Sequence, residues 1–125
     1  MVFEFEKLEV WHKAMDLVAA IYQTTQTFPA PEQFGLISQI RRAAVSVPVN
    51  IAEGKGRHHR KEYAQFLYNA RGSLYETVTL LKIALKLQYL SNEKYQQILQ
   101  LVETVMSKLS GLINYLKLQA PGSRV

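Results

Sequence analysis

The sequence predicts an all-α protein, and three observations carry that expectation. Four successive segments repeat apolar residues at alternating steps of 3 and 4, the signature of one helix face. No segment of comparable length alternates with period two, and short Pro, Gly or Ser stretches separate the four. Short connections between long helices favour antiparallel neighbours, so the expected architecture is an up-down-up-down four-helix bundle. At 125 residues the chain makes one domain, 1–125, with no linker or internal repeat to divide it.

The first stripe is Leu8, Trp11, Met15, Val18, Tyr22 and Thr25, predicting a helix over about 8–27. Phe28-Pro29-Ala30-Pro31 ends it, because neither proline can extend a helix. The second stripe, Ile37, Ile40, Ala44, Val47 and Ile51, predicts a helix over about 33–55, where Gly54-Lys55-Gly56 interrupts the pattern. Pro48 lies inside it, removes a backbone hydrogen bond and crowds the preceding turn, so a kink is expected there. Tyr63, Leu67, Ala70, Leu74, Thr77 and Leu81 predict a third helix over about 59–89. Tyr95, Ile98, Val102, Val105, Leu109, Leu112 and Leu116 predict a fourth over about 91–119, with Ser91 as its N-cap. Ala120-Pro121-Gly122-Ser123 reads as a frayed tail.

Hydrophobic residues at 48% and charged residues at 20% are globular proportions. The absence of cysteine excludes disulfides, cysteine-ligated zinc and a thiol nucleophile, and fits a reducing compartment. The start, Met1-Val2-Phe3-Glu4-Phe5-Glu6, lacks the basic-then-apolar order of a secretory signal. No run of apolar residues is long enough to span a bilayer. A soluble, cytoplasmic protein with no membrane partner is the expectation.

Charge is distributed unevenly. The net value is +5, yet residues 1–40 carry two bases against five acids. Residues 41–71 hold Arg41, Arg42, Lys55, Arg57, Arg60, Lys61 and Arg71 against only Glu53 and Glu62. Such a block fits either a phosphate-bearing partner or a merely solvated helix surface. Arg41, Arg42, Lys55, Arg57, Arg60 and Lys61 are the candidate phosphate contacts, with Arg41 or Arg42 alternatively pairing with a carboxylate such as Glu53. The junction cations Lys55, Arg57, Arg60 and Lys61 form the expected main patch.

A second candidate surface is the outer face of the third helix, with Lys61, Gln65, Tyr68, Gly72, Tyr75, Thr79, Lys82 and Lys86 at helical spacing. Glycine inside a helix is unfavourable, so something is expected to pack over Gly72. Tyr68, Gly72 and Tyr75, with Asn50 on the polar side of the second helix, are the expected subunit interface. Base stacking on the tyrosines, or an ordinary exposed surface, are the alternatives.

No catalytic constellation is legible. Glu9-Val10-Trp11-His12 matches the Glu-x-x-His spacing of di-iron bundles once, and a second copy is absent. None of the arginines from Arg41 to Arg71 has a histidine after four intervening residues, the spacing of one class of helical ribonuclease. Gly54-Lys55-Gly56-Arg57 lacks the length and Lys-Ser/Thr ending of a phosphate-binding loop. His58 and His59 are adjacent on a helix start and point in different directions. No cofactor, metal or small-molecule substrate is expected.

The run from Gly35 to Gly54, GLISQIRRAAVSVPVNIAEG, closely resembles the signature of the bacterial 23S rRNA intervening-sequence proteins. Leu8, Trp11 and Ala14, Phe28-Pro29, Gly56-Arg57, Gly72-Ser73-Leu74 with Glu76, and Tyr89-Leu90 extend the resemblance over about residues 3–118. It implies an antiparallel four-helix bundle assembled as a homopentameric ring, with no enzymatic activity attached. A related branch, the accessory protein of diversity-generating retroelements, is a basic pentameric bundle working with nucleic acid. Two positions depart from the pattern: His12 replaces the usual Gln, and His59 replaces the Ser or Thr that opens a capping box with Glu62. The expected function is that of a non-enzymatic ring whose basic surface binds rRNA or another structured nucleic acid. The alternative is an adaptor ring with no nucleic-acid ligand, using Phe3 and Phe5 as an apolar rim.

Overall fold

The computed structural model describes residues 2–119. Four helices follow in order: α1 Glu9–Thr25, α2 Leu36–Lys55, α3 Arg60–Lys86 and α4 Asn92–Leu118, with 3-10 turns at Glu4–Lys7 and Ala30–Glu32. No strand occurs among the described residues. The expected frayed tail lies outside them.

Side-chain pairings establish the antiparallel order. Ser46 of α2 meets Ser73 of α3, while Gly54, further along α2, faces Tyr63 and Phe66 at the start of α3. Lys82 lies over Tyr95 and Lys117 over Tyr68, so α4 reverses α3. Lys108 of α4 bonds Glu9 at the start of α1. Each helix packs on its two neighbours, and the diagonal pairs, α1 with α3 and α2 with α4, make no close backbone approach. This is the expected up-down-up-down bundle.

The stripes of α2 and α3 are buried as expected, and α4 differs only in that Ile113 replaces Leu112 at the centre. α1 requires a correction. Its core face is Val10, Ala14, Leu17 and Ile21, whereas Met15 and Tyr22 are 43% and 41% exposed and Leu8, Trp11 and Val18 flank the core. The helix carries two adjacent apolar stripes, and only one can face the bundle axis. The inner one brings no unsatisfied polar atom with it: Thr25 beside it donates its hydroxyl to the Ile21 carbonyl at 2.8 Å. Turning Trp11 and Tyr22 inward would bury an N–H and an O–H in the most apolar part of the molecule.

α2 continues through Pro48, which is buried. It also includes Gly54, expected to interrupt the pattern. A Cβ there would lie 2.8 Å from the Phe66 Cβ and 3.3 Å from the Tyr63 carbonyl oxygen. Gly54 is therefore a point of very close approach between α2 and α3.

α3 ends at Lys86, short of the expected 89. Gln88 adopts φ 64°, the Tyr89 N–H bonds the Ala84 carbonyl and the Gln88 N–H bonds that of Leu85. This left-handed stop normally selects glycine, so its residue type concealed it. Tyr89 is thereby turned to meet Phe28, with ring centroids 5.8 Å apart, and to donate its hydroxyl to Glu32.

Ser91 caps α4 as expected, accepting from the Lys94 N–H at 3.1 Å. His59 occupies the N-cap of α3 and makes no side-chain cap bond. Replacing His59 by Ser restores a capping box with Glu62, three residues on, and is expected to stabilise the fold by about 1 kcal/mol. Urea unfolding checks it; an unchanged midpoint would reject the assignment.

Candidate nucleic-acid interface

The short link between α2 and α3 reverses the chain, so the end of one helix and the start of the next present their cations together. Lys55 closes α2, Arg57, His58 and His59 form the link, and Arg60 and Lys61 open α3. Two of these cations rest on aromatic faces. The Lys55 Nζ lies 5.6 Å from the Tyr63 ring centroid and the Arg57 guanidinium carbon 4.6 Å from that of Phe66. Cation–π contact orients both groups without neutralising them. Among the described residues no carboxylate pairs with Lys55, Arg57 or Lys61. The positive end of the 27-residue α3 dipole opens into the same region, uncapped by His59. Glu53 and Glu62, both exposed, are the acidic groups on these helix ends.

The six predicted phosphate contacts thus fall into two groups. Arg41 and Arg42 lie 14 and 13 residues before Lys55 on α2, about 20 Å away at 1.5 Å per residue. Arg41 is engaged within the fold. Its Nε donates to the Thr25 hydroxyl at 2.9 Å, its Nη2 donates to the Tyr22 carbonyl at 3.3 Å, and its guanidinium lies 4.5 Å from the Tyr22 ring centroid. It holds the C-terminal end of α1 against α2, where carbonyls favour a cation. Neither arginine pairs with Glu53 among the described residues. Arg42 is exposed and reaches Ser38 at 3.4 Å.

Of the predicted interface residues, Tyr68, Gly72 and Tyr75 lie along one side of α3 and Asn50 lies on α2. Tyr68 is half-buried between Arg71, 4.9 Å from its ring centroid, and Lys117, at 5.5 Å. Asn50 lies instead on the α2–α3 seam, donating to the Ser46 carbonyl at 2.8 Å and hydroxyl at 3.0 Å, while the Ser46 and Ser73 hydroxyls meet at 2.7 Å. Gly72 and Tyr75 face outward; a Cβ on Gly72 would meet nothing within 4 Å, and Tyr75 is 61% exposed.

Glu9 and His12, the lone di-iron-like pair, are engaged elsewhere. Glu9 accepts from Lys108 at 2.9 Å, a bond that holds its carboxyl below the usual carboxylate range. His12 Nε2 bonds the Glu6 carbonyl at 2.6 Å. Among the described residues no three His, Asp or Glu side chains come together to hold a metal, and no described helix is long and apolar enough to cross a membrane.

Two features escaped the sequence reading. The first is the Tyr63 hydroxyl: the side chain is buried, as its place in the α3 stripe implied, but the hydroxyl has no hydrogen-bond partner among the described residues, and burial pushes the phenol up to about 12. Phe34, in the loop before α2, is 95% exposed beside a groove between α1 and α2. The signal for the second was an aromatic next to Gly35 at the end of a Pro-containing loop, outside every apolar stripe.

Fold and site together define a small antiparallel four-helix-bundle protein with a cation-rich end at the α2–α3 junction. The family model for the 23S rRNA-intervening sequence protein matches residues 6–111, and the chain belongs to that family. It is similar in fold to the crystal structure of a protein of unknown function from the S23 ribosomal protein family of Bacteroides thetaiotaomicron VPI-5482. The TM-score is 0.75 and the identity 22%, over 83% of this chain and 97% of that one. No curated protein matches the chain.

Proposed function

We propose that this protein is a non-enzymatic, ring-forming bundle, a pentamer, whose α2–α3 end binds structured RNA through phosphate contacts. The observation that carries the reading is the junction itself, where Lys55, Arg57, Arg60 and Lys61 fall within one chain reversal and Lys55 and Arg57 lie over aromatic rings. Such contacts supply affinity and position but little base specificity. The family description refers to an intervening sequence of 23S rRNA, which makes structured RNA the first polymer to test.

The experiment measures nuclease-treated protein against structured RNA and duplex DNA at about 50 and 200 mM salt. Affinity is expected to fall steeply with salt and to favour RNA. Replacing Lys55, Arg57, Arg60 and Lys61 together by Ala is expected to weaken binding several-fold at the lower salt and to flatten the salt dependence. Unchanged affinity rejects the placement. No binding by the native protein rejects the RNA reading and leaves the adaptor ring, which the exposure of Phe3 and Phe34 favours.

A further inference from the structure

The groove between α1 and α2 is an open cavity of about 370 Å³, with Tyr22, Phe34, Ser38, Arg41, Arg42 and Val45 among its lining residues. Phe34 is 95% exposed and Tyr22 41%, and the same two helices carry the exposed apolar residues Met15 and Val49, at 43% and 45%. An exposed patch of this kind marks a contact surface. Among the described residues no carboxylate lines the groove, and Arg42, which does line it, is exposed. Its complement is an aromatic side chain next to an acid.

The chain carries such a segment at the other end of the same helix pair. Val2 and Phe3 are 63% and 57% exposed, and Glu4 follows them. This arm is already ordered. The Phe3 N–H donates to the Glu6 carboxylate at 2.8 Å, Phe3 stacks on Phe5 at 5.6 Å, and Phe5 packs on Trp11 at 5.1 Å. Little conformational freedom remains to be lost on docking, which favours association. Among the described residues Glu4 pairs with Lys7, in an exposed ion pair of 3.1 Å that yields readily to another cation.

The arm cannot fill its own groove. Phe5 is fixed on Trp11, and Tyr22 lies 11 residues further along α1, about 16 Å away. We propose that the aromatic-acidic arm of residues 2–6 seats in the Tyr22–Phe34–Arg42 groove of a second copy of this chain, with Phe3 against Phe34 and Tyr22 and Glu4 on Arg42. Each chain offers one arm and one groove, so successive copies join through unlike patches, the kind of contact from which a ring closes. The proposal rests on the self-association part of the functional reading and is independent of its RNA part.

Light scattering after gel filtration of the full chain tests it, with helicity by circular dichroism as the folding control. A groove variant, Phe34→Ser with Arg42→Glu, and an arm variant, Phe3→Ser with Glu4→Lys, are each expected to lose the assembled mass while staying helical. All four residues are exposed, so the fold tolerates the changes. Mixing the two variants is expected to yield a two-chain species, because one intact arm and one intact groove remain. Variants that keep the native mass, or a mixture that stays monomeric, overturn the arm contact alone. A native protein that is monomeric at every concentration overturns the ring as well. A groove variant that keeps the native mass but loses RNA affinity makes the groove a nucleic-acid contact and overturns the proposal.

Discussion

Gly54→Ala is expected to destabilise the fold by about 2 kcal/mol, whereas Gly72→Ala is expected to stabilise it by about 1 kcal/mol. Both glycines lie inside helices, where alanine is intrinsically better by close to 1 kcal/mol. The difference lies in what the new methyl would meet. At Gly54 it would stand 2.8 Å from the Phe66 Cβ and 3.3 Å from the Tyr63 carbonyl oxygen. Neither atom is the far end of a flexible side chain, so α2 and α3 must separate along a seam that also holds Ser46 against Ser73. At Gly72 the methyl would enter open space. Urea unfolding of both variants decides the matter, read as shifts in midpoint at constant slope. A stable Gly54→Ala protein would show that the helices are not closely opposed there. A destabilised or dissociated Gly72→Ala assembly would show that another copy packs over that gap.

Tyr63 is expected to make the fold sensitive to alkali. Its phenol titrates at about 12 in the folded chain because burial disfavours the phenolate, against about 10 when unfolded. Between those values the unfolded chain releases a proton that the folded chain retains, so stability is intact below pH 10 and falls as pH rises towards 12. For a phenol moved from about 10 to about 12, the loss at pH 12 is about 2 kcal/mol. Tyr63→Phe removes both the titration and a buried hydroxyl that has no partner among the described residues. That variant is expected to gain about 1 kcal/mol at neutral pH. Its advantage over the native chain should widen between pH 10 and 12. Tyr89 is also shifted upwards, by the hydrogen bond it donates to Glu32, and the comparison of the two proteins cancels that contribution. A constant difference across this range would mean that the Tyr63 hydroxyl reaches water.

The legibility of the site follows the same physical division as that of the fold. Lys55, Arg57, Arg60 and Lys61 are close in sequence, and the short link puts all four at the same end of the bundle. Tyr68, Gly72 and Tyr75 share a helix face through their spacing along α3. Asn50 lies on another helix, one turn from the Ser46–Ser73 pair on the α2–α3 seam, a placement that only the packing of the two helices reveals. Arg41 and Arg42 are consecutive, yet one is bound to the end of α1 and the other is open to solvent. Adjacent helical residues point about 100° apart, and only the neighbouring helix decides which of them is enclosed.

Within a helix, hydrogen bonds and side-chain contacts join residues three or four apart, so the chain by itself determined the four helices, the inner faces of α2, α3 and most of α4, the Ser91 cap and the weak His59 cap. Arg41 with Thr25 spans 16 residues, Ser46 with Ser73 spans 27 and Tyr89 with Glu32 spans 57. Such contacts depend on the rotation and register of whole helices, which no local spacing encodes. Tertiary packing therefore decided which of two apolar stripes α1 would bury, why Gly54 must lack a side chain, and that an exposed Phe34 would line one groove with Tyr22 and Arg42.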